Sequence, residues 1–213
     1  MNFAQQLAQI SLEIGSIKID SKNPFTWASG YRMPIYNDNR MLLGDAGHRT
    51  LVAEAMQDTI LKADIHVDTV AGVATAGIPH AATLANLMKL PLIYVRSTPK
   101  AHGLKNQVEG ILKPGQSVIV VEDLISTGGS AIQAIDAIRD AGGQVDHCLG
   151  IFSYGFPETR QRFAQADCRL HTLLDLDSLL QYAVKNGKIG PEERQVLDTW
   201  SQNPFEWEKQ QEL

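Results

Sequence analysis

Glu122 and Asp123 stand side by side between an apolar run, Val118-Ile119-Val120-Val121, and a run of small residues, Ser126-Thr127-Gly128-Gly129-Ser130. This order of residue types suits the recognition of a phosphorylated sugar. A helix start leaves backbone N–H groups without partners inside the helix and carries partial positive charge, so a phosphate can rest there on main-chain donors and hydroxyls. Small side chains let the backbone approach closely. The carboxylates at the strand end can accept hydrogen bonds from vicinal hydroxyls or approach a magnesium ion. Residues 122 to 130, Leu124 and Ile125 included, are therefore the candidate binding residues. The pattern Ala131-Ile132-Gln133-Ala134-Ile135-Asp136-Ala137-Ile138 supplies the helix that follows.

Two common phosphate motifs are excluded. No Lys follows Gly128 or Gly129, as a nucleoside-triphosphate loop requires, and the Gly-x-Gly-x-x-Gly of dinucleotide binders is missing. Many strand-to-helix turns use Ser and Thr only as caps, but an acidic pair against a buried strand is costly without a ligand or partner. A second turn of the same kind, Thr75-Ala76-Gly77-Ile78-Pro79, follows the apolar stretch 69–74. Residues 97–110 lack periodicity, and with Arg96, Lys100, His102 and Lys105 they form a basic stretch suited to a lid over pyrophosphate. Residues 25–40 mix aromatics, Gly, Pro, Arg32 and Arg40, a composition that fits a cover over a planar acidic ligand.

The rest of the chain has to position these groups. Helical spacing is expected over 3–14, 45–62 with Asp45 as cap, 78–89, 157–165, 176–186 and 191–201; strands over 17–19, 69–74, 92–96, 118–121, 145–152 and 170–174. Strands alternating with helices predict an α/β fold, a twisted and mainly parallel sheet with helices on both faces and ligands at the carboxyl ends of its strands. The 213 residues fit a single domain, with a small N-terminal hood mainly from 16–40, the lid at 97–110 and the binding motif at 118–130. A net charge of -5 argues against a nucleic-acid partner, and no apolar run is long enough for a membrane span, so the expected location is cytoplasmic. Cys148 and Cys168 lack metal or redox spacing and are expected as buried free thiols; His48, His66, His80, His147 and His171 show no partner in sequence.

Together Phe25-Thr26-Trp27-Ala28-Ser29-Gly30, Pro34-Ile35-Tyr36-Asn37-Asp38-Asn39-Arg40, Gly77-Ile78-Pro79, Lys100-x-His102-Gly103 and 122–130 resemble the type I phosphoribosyltransferases, and within them the orotate phosphoribosyltransferases. The resemblance implies transfer of phosphoribose from phosphoribosyl diphosphate (PRPP) to orotate, giving orotidine 5′-phosphate in pyrimidine synthesis. It implies Glu122 and Asp123 on the ribose hydroxyls, Ser126 to Ser130 around the 5-phosphate, and Ser126 beside orotate. It also implies Arg96, Lys100 and His102 acting as catalytic groups on the pyrophosphate of a neighbouring subunit, in a homodimer. Magnesium is implied as cofactor, held mainly by PRPP oxygens and by no protein metal ligand.

The chain departs from the pattern of some members, which carry lysines where Ser97 and Ala28 stand, Tyr-Lys where Thr75-Ala76 stands, and an orotate-contacting Arg where Ser153-Tyr154-Gly155-Phe156 stands. Arg32 and Arg40 are then the candidates for the orotate carboxylate. A phosphoribosyltransferase for another base and a PRPP-binding regulator are the alternatives. The lid and the absence of a basic DNA-binding extension argue against the regulator.

Overall fold

The computed structural model describes residues 1–27, 29–98 and 107–207. Helix α1 (Phe3–Glu13) starts at Asn2, whose side chain accepts from the Gln5 N–H at 2.9 Å while the Gln5 side chain accepts from the Asn2 N–H at 3.2 Å. This reciprocal cap satisfies two otherwise unpaired donors. Four short strands follow: β1 (Ile17–Ile19), β2 (Phe25–Thr26), β3 (Arg32–Met33) and β4 (Ile35–Asn37). Strand β1 pairs antiparallel with β4 and β2 with β3, making two small ribbons that lead into a 3-10 turn at Asn39–Gly44.

The main layer then builds up in order: α2 (Ala46–Lys62), β5 (Thr69–Val73), α3 (Gly77–Met88), β6 (Leu92–Val95), β7 (Val108–Glu109), β8 (Ser117–Ile125), α4 (Gly129–Asp140), β9 (Gln144–Ser153), α5 (Pro157–Gln165), β10 (Arg169–Asp175), α6 (Leu176–Lys185) and α7 (Pro191–Gln202). Asp45 caps α2 through the His48 N–H at 3.0 Å, as its position before the apolar-periodic stretch predicts. The six strands of the main sheet lie in the order β10-β9-β8-β5-β6-β7. All pairings are parallel except that of β7 with β6. The order reverses between β8 and β5, which is where an open α/β sheet leaves a crevice beyond the carboxyl ends of its strands.

Side-chain alternation along β8 serves two cores. Ile119 and Val121 face the layer of α1, α2, α3 and α6, whereas Val118 and Val120 face α4 and Phe163 of α5. Helix α3 sits unusually close to the sheet: a Cβ at Gly72 would stand 2.7 Å from the Ile78 Cα, and one at Gly77 would stand 2.5 Å from the Val121 carbonyl oxygen. No helix among the described residues is long and apolar enough to cross a membrane.

Two boundaries differ from the sequence reading. Strand β8 continues through the acidic pair to Ile125, because Leu124 and Ile125 keep pairing with Phe152 and Ser153 of β9. The carboxylates therefore lie within a strand and not beyond its end. The basic stretch 97–110 is also not loop throughout, since Val108 and Glu109 add to the sheet edge opposite Val95 and Tyr94. Cys148 and Cys168 are buried free thiols, as expected. His147 and His171, partnerless in sequence, meet across β9 and β10 with ring nitrogens 3.0 Å apart. His80 is buried, neither ring nitrogen has a hydrogen-bond partner among the described residues, and burial holds its pKa down at about 4, so it is a neutral core residue at physiological pH.

Candidate active site

The acidic pair and the small-residue turn are joined by a hydrogen bond. Ser130, in the first turn of α4, donates its hydroxyl to Glu122 Oε2 at 3.0 Å, and the Asp123 N–H donates to Glu122 Oε1 at 3.1 Å. Between them Gly128 adopts φ +83°, a left-handed conformation in which glycine meets no steric penalty, and α4 begins without any side-chain cap. The N–H groups of Thr127 and Gly128 have no acceptor among the described residues. An uncapped helix start with free amides is the arrangement that receives a phosphate.

Glu122 is buried, and burial first, then the neighbouring Asp123, raises its pKa to about 8. Burial also raises Asp123. Two adjacent carboxylates with little water between them cannot both ionise freely, so the pair holds one proton near neutrality. Asp123 is further fixed through its backbone: Asn39, 1% exposed, donates Nδ2 to the Asp123 carbonyl at 2.6 Å. Asn39 thus ties the 3-10 turn after β4 to the strand that carries the acids. Asn39 belongs to the 34–40 motif, but nothing local in the sequence marks a contact that spans 84 residues.

On the other side of the crevice, Thr75, Ala76 and Gly77 join β5 to α3, with a cis peptide between Ala74 and Thr75. Arg96 follows β6 and its Nη1 lies 3.5 Å from Glu109 Oε1 of β7, while its backbone N–H donates to the Gln107 carbonyl at 3.0 Å. Lys100 and His102 lie outside the described residues, as does Ala28. Of the two arginines considered for a carboxylate, Arg40 closes its fork on Asp38 at 2.6 and 2.9 Å, and Arg32 is exposed on β3.

After β9, this chain places Tyr154 in an aromatic cluster. Its ring stacks on Phe156 with centroids 5.2 Å apart, lies 5.1 Å from Trp27 of the hood, and meets the edge of Trp200 of α7 at 5.7 Å. Trp27, just after β2, is therefore packed by rings against the residues after β9 and against α7. Such contacts add about 0.5–1.5 kcal/mol each beyond their burial.

Residues 46–154 match the phosphoribosyl transferase domain family. Over 206 residues the chain is 45% identical to the orotate phosphoribosyltransferase of Phocaeicola vulgatus, covering 97% of this chain and 95% of the relative. The chain belongs to the orotate phosphoribosyltransferase family. The relative from Cytophaga hutchinsonii is 42% identical over 98% of this chain and 100% of its own length. The crystal structure of the Aeropyrum pernix orotate phosphoribosyltransferase superposes with a TM-score of 0.74 at 32% identity, covering 86% of this chain and 99% of that one. This orotate phosphoribosyltransferase family member thus has the α/β fold its sequence implied.

Proposed function

We propose that the chain transfers the 5-phosphoribosyl group of PRPP to orotate, giving orotidine 5′-phosphate and pyrophosphate, with residues 118–130 of one phosphoribosyltransferase domain as the cradle. The Ser130 to Glu122 hydrogen bond carries this reading, because it sets an uncapped helix start and an acidic pair around one crevice. The 5-phosphate would rest on the amides and hydroxyls of residues 126–130. The ribose hydroxyls would donate to Glu122 and Asp123, and Ser126 would stand beside the base.

The reaction needs no covalent enzyme intermediate. An orotate nitrogen attacks the anomeric carbon as the bond to pyrophosphate breaks, its proton passing to solvent, and positive character on the ribose ring rises and falls between the two. The barrier is lowered by alignment of the two substrates and by cations placed where the leaving charge grows. Arg96, Lys100 and His102 are the proposed cations, reaching the pyrophosphate of a partner subunit in a homodimer. Lys100→Ala is expected to lower kcat about a hundredfold while leaving the orotate Kd within a few-fold. Equal losses in both would remove Lys100 from this role.

Magnesium suits the residues present as an ion carried in by PRPP. It takes oxygen ligands and keeps several waters, and Glu122 and Asp123 are the carboxylates at hand near the ribose. When bound it would neutralise part of the pyrophosphate charge. The deciding experiment follows the absorbance of orotate with PRPP and magnesium in the cytoplasm-like range of pH 7–8. Loss of orotate that stops on chelation is expected, while turnover of a purine base in its place would reassign the acceptor.

A further inference from the structure

Helix α5 belongs to none of the motifs that mark the family in this sequence, yet its first turn lies behind the phosphate loop. Thr159, 1% exposed, donates its hydroxyl to the carbonyl of Ser126 at 2.5 Å. One turn later Phe163 lies beneath Gly128, where an added Cβ would stand 3.0 Å from its ring. The threonine contact is unlike those of other helical threonines here. Thr50, Thr59, Thr83 and Thr199 each give their hydroxyl to the carbonyl four residues back in their own helix, at Ala46, Ala55, Pro79 and Gln195. Thr159 reaches instead to a segment 33 residues away.

The direction of that bond matters. A peptide unit is planar and trans, so the Ser126 carbonyl and the Thr127 N–H point in opposite directions. With the carbonyl held back on α5, the Thr127 N–H is turned away from α5, and it has no acceptor among the described residues. Released from Thr159, the same peptide would be free to rotate its oxygen toward the crevice, where it would repel an anion. We propose that Thr159 is a positioning residue for phosphoribosyl transfer: by holding the Ser126 carbonyl it aims the Thr127 amide at the 5-phosphate of PRPP. The assignment rests on the reading of residues 126–130 as the phosphate loop.

The test compares Thr159→Val, which keeps the shape and removes the donor, with Thr159→Ser, which keeps the donor. PRPP Kd by calorimetry without orotate, the KM values of both substrates, kcat and Tm are measured on the full chain. Thr159→Val is expected to raise the PRPP Kd and KM about tenfold, the worth of one well-placed hydrogen bond, with the orotate KM within about threefold of the parent. Thr159→Ser is expected to restore PRPP binding to within about threefold. If Thr159→Val does not fold, Thr159→Ala carries the same comparison against Thr159→Ser. A lower Tm with an unchanged PRPP Kd overturns the proposal, since a purely structural threonine would behave that way. A parent chain that binds PRPP but consumes no orotate counts against the reaction and not against Thr159, whose effect is read in the Kd.

Discussion

Glu122→Gln is expected to unfold at a higher temperature than the parent at pH 8, while its PRPP KM rises at least tenfold. Burial and the adjacent Asp123 raise the Glu122 pKa from 4.5 to about 8. Between these values the folded chain keeps a proton that the unfolded chain has released. Folding then takes up protons, so the stability contribution is most favourable below the unfolded pKa and is lost as pH rises through the folded one. A glutamine resembles the protonated acid and does not titrate. The Tm gain of the variant should therefore be small near pH 4, grow up to about pH 8 and level off above it. The matching gain in unfolding free energy at pH 8 is on the order of 2–4 kcal/mol, taking 1.4 kcal/mol per pKa unit and allowing for the proton shared with Asp123. A Tm difference that does not change with pH would mean that Glu122 is ionised in the free protein. The loss of affinity follows because PRPP binding draws that proton off, so that Glu122 accepts from the ribose hydroxyls as a carboxylate, which glutamine cannot become.

Gly77→Ala is the second large effect. The added Cβ would stand 2.5 Å from the Val121 carbonyl oxygen, 3.3 Å from its carbon and 3.4 Å from the Glu122 Cα. All three are backbone atoms of the central strand, so no side chain can rotate away to make room. The start of α3 would have to lift from β8, at a cost of about 3 kcal/mol, lowering Tm by roughly 6–12 °C in a chain of this size. Lifting α3 also displaces Thr75 and Ala76 from the crevice, so activity should fall even in the fraction that remains folded. Gly44→Ala is the control, since a Cβ there meets nothing within 4 Å. Equal stability of both variants, measured by thermal melts, would show that the close approach of α3 to β8 is not as described.

What the sequence displayed and what it hid divide along physical lines. The run Val118–Val121, the acids, and the Ser/Thr/Gly turn are contiguous, and their chemistry reads without any tertiary contact. The continuation of β8 to Ile125 was hidden because it depends on Phe152 and Ser153 of β9, which lie more than twenty residues away in sequence. Val108 and Glu109 are too few to show a period of two, and only their pairing with β6 makes them a strand. Asn39, Thr159 and the Trp27, Tyr154 and Trp200 rings act across long sequence separations. Their residue types alone are common in any core or turn. The aromatic composition of 25–40 does not show that Trp27 packs on the rings that follow β9 and on Trp200.

The antiparallel edge of the sheet has a bearing on how this protein can change. Val95 and Val108 sit directly opposite each other, so the intervening chain leaves and rejoins the fold at one strand spacing, about 5 Å. For a loop whose feet are fixed in this way, doubling the length adds only about 0.6 kcal/mol of closure entropy. Any change of length between those two valines is therefore anchored at this one pair of strands, and its cost is set by closure entropy and not by the packing of the sheet.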